Sequence, residues 1–96
     1  MKLAFRTQAK LDLRWFRSYY SERFPEGRKK VEQSFRATIK LVLGNPQSGQ
    51  RLDGMNARRL PVTRTPFVLV YTVVGDRIDI IRVWDARSDP RELMPE

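Results

Sequence analysis

The sequence predicts an α+β domain, β-α-α-β-β-β in order, with a helical hairpin packed on one face of a small, mainly antiparallel sheet. Three observations predict it. Residues 67–85, FVLVYTVVGDRIDIIRVWD, hold two runs rich in β-branched and aromatic side chains around Gly75-Asp76, the pattern of a strand hairpin. Two segments, from residue 8 to about 23 and from about 28 to the Gly44-Asn45-Pro46 stop, repeat apolar residues every three or four positions, the helical period. Only Phe24-Pro25-Glu26-Gly27 separates these segments, and a four-residue connection makes the two helices antiparallel neighbours.

Taken in order, residues 2–6 alternate Leu3 and Phe5 with charged neighbours, which reads as a short strand. Thr7 is placed to cap the first helix, its hydroxyl accepting an orphan N–H of the first turn. In that helix Ala9, Leu13, Phe16 and Tyr20 form one stripe, and Leu11, Trp15 and Tyr19 a second one displaced around the axis. So wide an apolar arc calls for two packing neighbours, although Trp15 and Tyr19 also qualify as partly exposed binding residues. The second helix turns Val31, Phe35, Thr38 and Val42 inward, with Ile39 beside them, and Lys29, Gln33, Arg36 and Lys40 outward. Gly44 is suited to its C-terminal cap, and Pro46 blocks continuation. Residues 46–56 read as a polar loop and 57–62 as a strand with Leu60 and Val62 on one side and Arg59 on the other. Pro61 has no N–H for a ladder, which sends that strand to the sheet edge.

The closing hairpin has strands at 67–74 and 77–84, and glycine at the first of two loop positions fits a type II′ turn. Inside its second strand, Arg82 interrupts Ile80, Ile81, Val83 and Trp84. A guanidinium there must find a partner or reach water, because a buried unpaired charge costs several kcal/mol. Either Arg82 forms an internal ion pair, for instance with Asp79 or Asp85, or it contacts a partner. Arg82→Ala is expected to weaken activity while leaving the fold intact, and an unfolded variant would instead mark the ion pair.

Ninety-six residues with 41% hydrophobic content supply one core, hence a single domain over residues 1–96. Nineteen Lys and Arg against eleven Asp and Glu give a net charge of +8, which favours an anionic partner. Without cysteine or histidine there is no disulfide or thiol chemistry, and a zinc site or a serine triad is not expected. No apolar run reaches the roughly 18 residues of a membrane span, and the N-terminus lacks the apolar core of a secretory signal. A cytoplasmic protein with no membrane role, no cofactor and no metal is expected.

Short motifs punctuate the chain. Asp12-Leu13 and Tyr19-Tyr20 lie in the first helix, and Asn45, Pro46 and Gly49 follow the second. Arg58 or Arg59 precedes Leu60-Pro61-Val62, and Pro66, Phe67 and Tyr71 open the hairpin. Arg82-Val83-Trp84-Asp85 closes it, and Arg87, Asp89 and Pro90 form the tail. In this order and spacing they resemble the ParE/RelE superfamily of toxins from type II toxin–antitoxin modules, and the resemblance covers nearly the whole sequence. The resemblance implies a growth-inhibiting toxin, serving plasmid or genome stabilisation, held inactive by a cognate antitoxin whose C-terminal segment wraps it. Operator DNA would be bound only through the antitoxin.

The superfamily divides by target. RelE-like members resemble ribosome-dependent mRNA endoribonucleases, which need a base for the 2′-OH, cations for the phosphate and an acid for the leaving oxygen. Arg59, Arg82 and Asp85 are the set available for that alternative, with no His or Tyr after Arg82 to act as acid. ParE-like members are understood to poison DNA gyrase without hydrolysing anything. The Leu-Pro-Val and Arg-Val stretches look more like that branch, although Asp85 stands where many ParE-like chains carry His. The reading taken is a ParE-like, non-enzymatic gyrase inhibitor with a ParD-like antitoxin and no catalytic residue. Target or antitoxin contacts are expected at Arg58, Arg59, Arg82, Trp84, Asp85, Arg87, Trp15 and Tyr19. A stand-alone RNA-binding module is the third reading, weakened because the aromatic residues follow core periodicity.

Overall fold

The computed structural model describes residues 1–89 together with Arg91 and Leu93; Pro90 of the tail motif lies outside the described residues. The elements are β1 (Lys2–Phe5), α1 (Thr7–Arg23), α2 (Arg28–Gly44), β2 (Gln50–Arg51), β3 (Arg58–Pro61), β4 (Phe67–Val74) and β5 (Arg77–Asp85). One sheet runs β1-β5-β4-β3-β2. β1 is parallel to β5, joined to it through the helices as a parallel pair requires, and the other pairings are antiparallel. Both helices pack on the same face of this mixed sheet, which is the α+β arrangement expected.

The main core lies between helices and sheet. Phe16 meets Phe67 edge-on at 4.8 Å and Phe35 at 5.6 Å, and Val42, Val62, Leu69, Ile78 and Ile80 are excluded from solvent around them. Tyr71 is fully buried too, and its hydroxyl donates to the Pro46 carbonyl at 2.8 Å and accepts the Gly49 N–H at 2.9 Å. That clasp fixes the loop after α2. A side chain at Gly49 would put Cβ 2.7 Å from the Tyr71 hydroxyl and 2.9 Å from the Arg59 carbonyl, so glycine is required there by close approach.

Several local expectations are corrected. Thr7 is not a cap: β1 runs straight into α1, Arg6 is the N-cap residue, and its side chain makes no capping hydrogen bond. Gly44 remains helical, and the C-cap is Asn45, whose N–H donates to Leu41 at 2.8 Å. The loop 46–56 contains a strand, β2, whose residues pair with Arg59 and Arg58. β3 is therefore flanked on both sides at its start. Pro61 lies beyond the end of β2 and opposite Val68. Because Val62 N–H points to Phe67 in β4, the neighbouring position's missing N–H faces outward, where no bond is lost. Gly75 has φ +60° and Asp76 is not in the left-handed region, as a type II′ turn requires.

Arg82 is accommodated by a β-bulge. Tyr71 opposes Ile80 and Val70 opposes Arg82, leaving Ile81 as an extra residue. Strict alternation would have put Ile78, Ile80 and Arg82 together on the helix side. The bulge shifts the phase, so that Ile78, Ile80 and Val83 enter the main core while Arg82 and Trp84 share the other face with Val70 and Val68. That second face is not bare. Ala57, Val68, Val70 and Ile81 form a small cluster covered in part by Leu52, Met55, Trp84 and Leu93.

Candidate functional site

β1 pairs with β5 only as far as Ile80, so among the described residues the upper half of β5 has no strand neighbour on that side. α1 takes its place. Asp12 Oδ2 accepts the Val83 N–H at 3.1 Å, satisfying a backbone donor that no strand reaches. The same carboxylate holds Arg82 in a two-pronged pair, Nε to Oδ2 at 2.7 Å and Nη2 to Oδ1 at 3.1 Å. Arg82 Nη1 donates to the Leu93 carbonyl at 2.8 Å, and its guanidinium lies 4.7 Å from the centre of the Trp84 ring. Both ionic side chains are only 11% exposed.

The ion-pair alternative for Arg82 is therefore the one realised, with a different partner from those expected. Asp79 is taken by Arg77 at 2.6 Å and Arg6 at 3.2 Å. Asp85 is taken by Arg87 at 2.8 Å. Hydrogen bonding from Arg77 holds the Asp79 carboxyl below its usual range, against an opposing effect of burial and with further help from Arg6. Hydrogen bonding from Arg87 does the same for Asp85. Asp12 was legible as a helix residue of the motif but not as this partner, since it is 70 residues from Arg82. The signal was an acid set between Leu11 and Leu13 on an otherwise apolar arc.

One turn along α1 from Asp12, Trp15 stacks on Tyr19 at 5.2 Å and 20° and approaches Phe67 at 5.8 Å. Trp15 nevertheless remains 54% exposed, so this stripe does not find the second packing neighbour that its width called for. Phe24, also about half exposed, meets Tyr19 at 5.8 Å and extends the aromatic surface; its place in a Phe-Pro turn concealed it. Arg87 is held in the charged state first by Asp85 and then by the Tyr19 hydroxyl.

The structure thus gathers Trp15, Tyr19, Arg82, Trp84, Asp85 and Arg87 around the C-terminal end of β5. The sheet divides them. Arg82 and Trp84 lie on the face away from the helices, whereas Asp85 opposite Phe67 lies on the helix side. Arg59 shares the row of Val70 and Arg82 on the outer face, two strands from Arg82. It forms no side-chain hydrogen bond or ion pair with the described residues. Arg58 is on the other face, where its Nη1 binds the Gly49 carbonyl at 2.8 Å and helps hold the loop after α2. Arg59, Arg82 and Asp85 do not converge on one point.

A concavity of about 550 Å³ lies at the other end of β4 and is lined by Asn45, Gln47, Arg51, Asn56 and Arg58 among others. Among the described residues no group of acidic side chains is placed to hold a metal ion, and no helix is long and apolar enough to cross a membrane.

Comparison with known proteins follows the same lines. The family model described as the ParE toxin of the type II toxin–antitoxin system, parDE, matches residues 3–90. A solved structure titled a chromosomal ParDE TA system from P. aeruginosa is similar, with 27% identity and a TM-score of 0.70. The match covers 86% of this chain and 92% of that one. Comparison with curated proteins gives no match.

Proposed function

Because the chain belongs to the ParE toxin family of type II toxin–antitoxin systems, we propose that it inhibits DNA gyrase by binding, without hydrolytic chemistry, and is neutralised by a cognate ParD-like antitoxin. The observation that carries the non-hydrolytic reading is the division of its charged residues by the sheet. RNA cleavage needs base, cations and acid around one phosphate. Here Asp85 lies across the sheet from Arg59 and Arg82, bonded to Arg87 and weakened as a base by its lowered pKa. Arg82 has its charge matched by Asp12. Gyrase as the target rests on the family.

The exposed Trp15–Tyr19–Phe24 surface beside this charged end supports a contact role, since aromatic side chains anchor protein interfaces. A net charge of +8 supports fast capture by an acidic partner segment. The antitoxin, not this chain, would bind operator DNA.

One observation favours the alternative of ribosome-dependent mRNA cleavage: Arg59 and Arg82 flank Val70 on one face. Induced alone in bacterial cells, the protein should arrest growth, and co-expression with the product of the adjacent reading frame should restore it. Growth arrest abolished by Arg59→Ala, with messenger RNA cut in wild-type cells, would support the alternative and overturn the binding reading.

A further inference from the structure

The β2 edge of the sheet carries two like charges in register. Arg51 stands directly opposite Arg58, so both side chains leave the same face of the ladder. Like charges so placed are destabilising when nothing lies between them. β2 is only two residues long, and few ladder bonds offset that repulsion. Arg58 is partly committed, its Nη1 donating to the Gly49 carbonyl at 2.8 Å and to the Gln47 carbonyl at 3.4 Å. Its Nε and Nη2 groups, and the guanidinium of Arg51, bind none of the described residues. Asp53, two residues beyond Arg51, forms no ion pair with either arginine.

Both arginines line the concavity of about 550 Å³ at that end of β4. Among the described residues no carboxylate lines it. Gln47 and Asn56 do, and their side-chain amides have no hydrogen-bond partner among the described residues. Each amide offers both donors and an acceptor. The walls are held in place from behind. The Tyr71 hydroxyl bonds Pro46 and Gly49, and Thr72 Oγ1 donates to the Asn56 carbonyl at 2.6 Å. The volume falls within the roughly 300–1,000 Å³ of small-molecule sites, more than an inorganic ion needs.

We propose that this concavity binds a small phosphate ester of nucleotide size, with its phosphate held between Arg51 and Arg58. The guanidiniums supply charge and paired donors for the phosphate oxygens. The amides of Gln47 and Asn56 hydrogen-bond the organic part. A bound phosphate removes the repulsion across the β2–β3 pair, so the ligand also steadies the short ladder and the Leu52 N–H to Ala57 carbonyl bond beyond it, 3.0 Å long. The site lies at the opposite edge of the sheet from β1, and nothing in it depends on gyrase or on an antitoxin.

The test is titration of the isotope-labelled protein with adenosine 5′-monophosphate, inorganic phosphate, malonate and adenosine at constant ionic strength. The monophosphate is expected to shift the Nε–H signals of Arg51 and Arg58 and the side-chain amide signals of Gln47 and Asn56. It should also slow hydrogen exchange of the Leu52 amide. Inorganic phosphate shifts the arginine signals alone and binds about tenfold more weakly. Arg51→Glu turns the like-charged pair into an opposite-charged one, so it melts no lower than the wild type while losing about tenfold in affinity for the monophosphate. Arg51→Gln, which only removes the charge, changes affinity in the same direction. Arg36→Glu makes the same charge change at an 81% exposed side chain elsewhere and keeps the wild-type affinity. The proposal is overturned if the monophosphate leaves these signals unmoved, or if adenosine or malonate binds as tightly. Equal losses in Arg51→Glu and Arg36→Glu would overturn it too, because attraction to the net charge of +8 would then account for binding. Growth arrest and its neutralisation are not read in this assay, so failure here leaves the functional reading standing.

Discussion

Arg82 was the one residue whose sequence context contradicted itself, and its pairing accounts for how it is tolerated. A charge in mid-strand is stable here because the bulge re-aims it and because α1 places Asp12 at the same spot to satisfy Val83. Removing one partner of a buried pair leaves the other uncompensated, at about 3–5 kcal/mol. Arg82→Ala and Asp12→Ala should each lose about that much in urea denaturation. The double change Asp12→Leu with Arg82→Met should recover most of it, and additive losses would show that the two residues act independently. Loss of toxicity in Arg82→Ala alone therefore cannot be assigned to contact with a target. Two of the acids held low by neighbouring arginines give a pH signature. Asp79 and Asp85 have folded-state pKa values lowered from 3.8 by Arg77 and Arg87. Each stabilises the fold above its unfolded value and loses that contribution as protons bind. The melting temperature should be level above about pH 5 and fall below about pH 4; a rise on acidification would contradict the assignment.

At the scale of elements, what local chemistry dictates was legible and what distance dictates was not. The helical hairpin and the Gly75-Asp76 turn follow from periodicity and from φ +60° at Gly75. The two-residue β2 was hidden because Gln50-Arg51 has no strand pattern of its own. It pairs with β3 because Tyr71 and Arg58 pin the preceding loop. The Asn-Pro-x-x-Gly spacing marked that loop, but the reason for its glycine, the Tyr71 hydroxyl, lies 22 residues away. Tyr71→Phe should cost about 1–3 kcal/mol by leaving the Gly49 N–H and Pro46 carbonyl unmatched. Gly49→Ala should cost about 1–3 kcal/mol by overpacking and should speed proteolysis between α2 and β3. If Gly49→Ala melts like the wild type, the clasp does not hold the loop. The bulge was signalled only as a conflict, Ile80-Ile81-Arg82-Val83, in which no strict alternation buries the apolar residues and spares the charge.

For the whole molecule, the expectation of helices on one side of the sheet held, while the other side proved partly occupied by its own small cluster. The candidate contacts gathered at one end of β5 except Arg58 and Arg59, which their strand carries away from it. Composition pointed to an anionic partner but not to which surface stays uncovered, because exposure depends on where β1 stops and α1 begins. The central claim is that this family member works by contact and not by cutting. Its most direct test is incubation of the purified protein with DNA gyrase and supercoiled plasmid, beside a parallel translating ribosome reaction. The account predicts linear plasmid after gyrase is denatured, abolished by prior addition of the antitoxin, with messenger RNA left whole. Intact plasmid together with cleaved messenger RNA would contradict it.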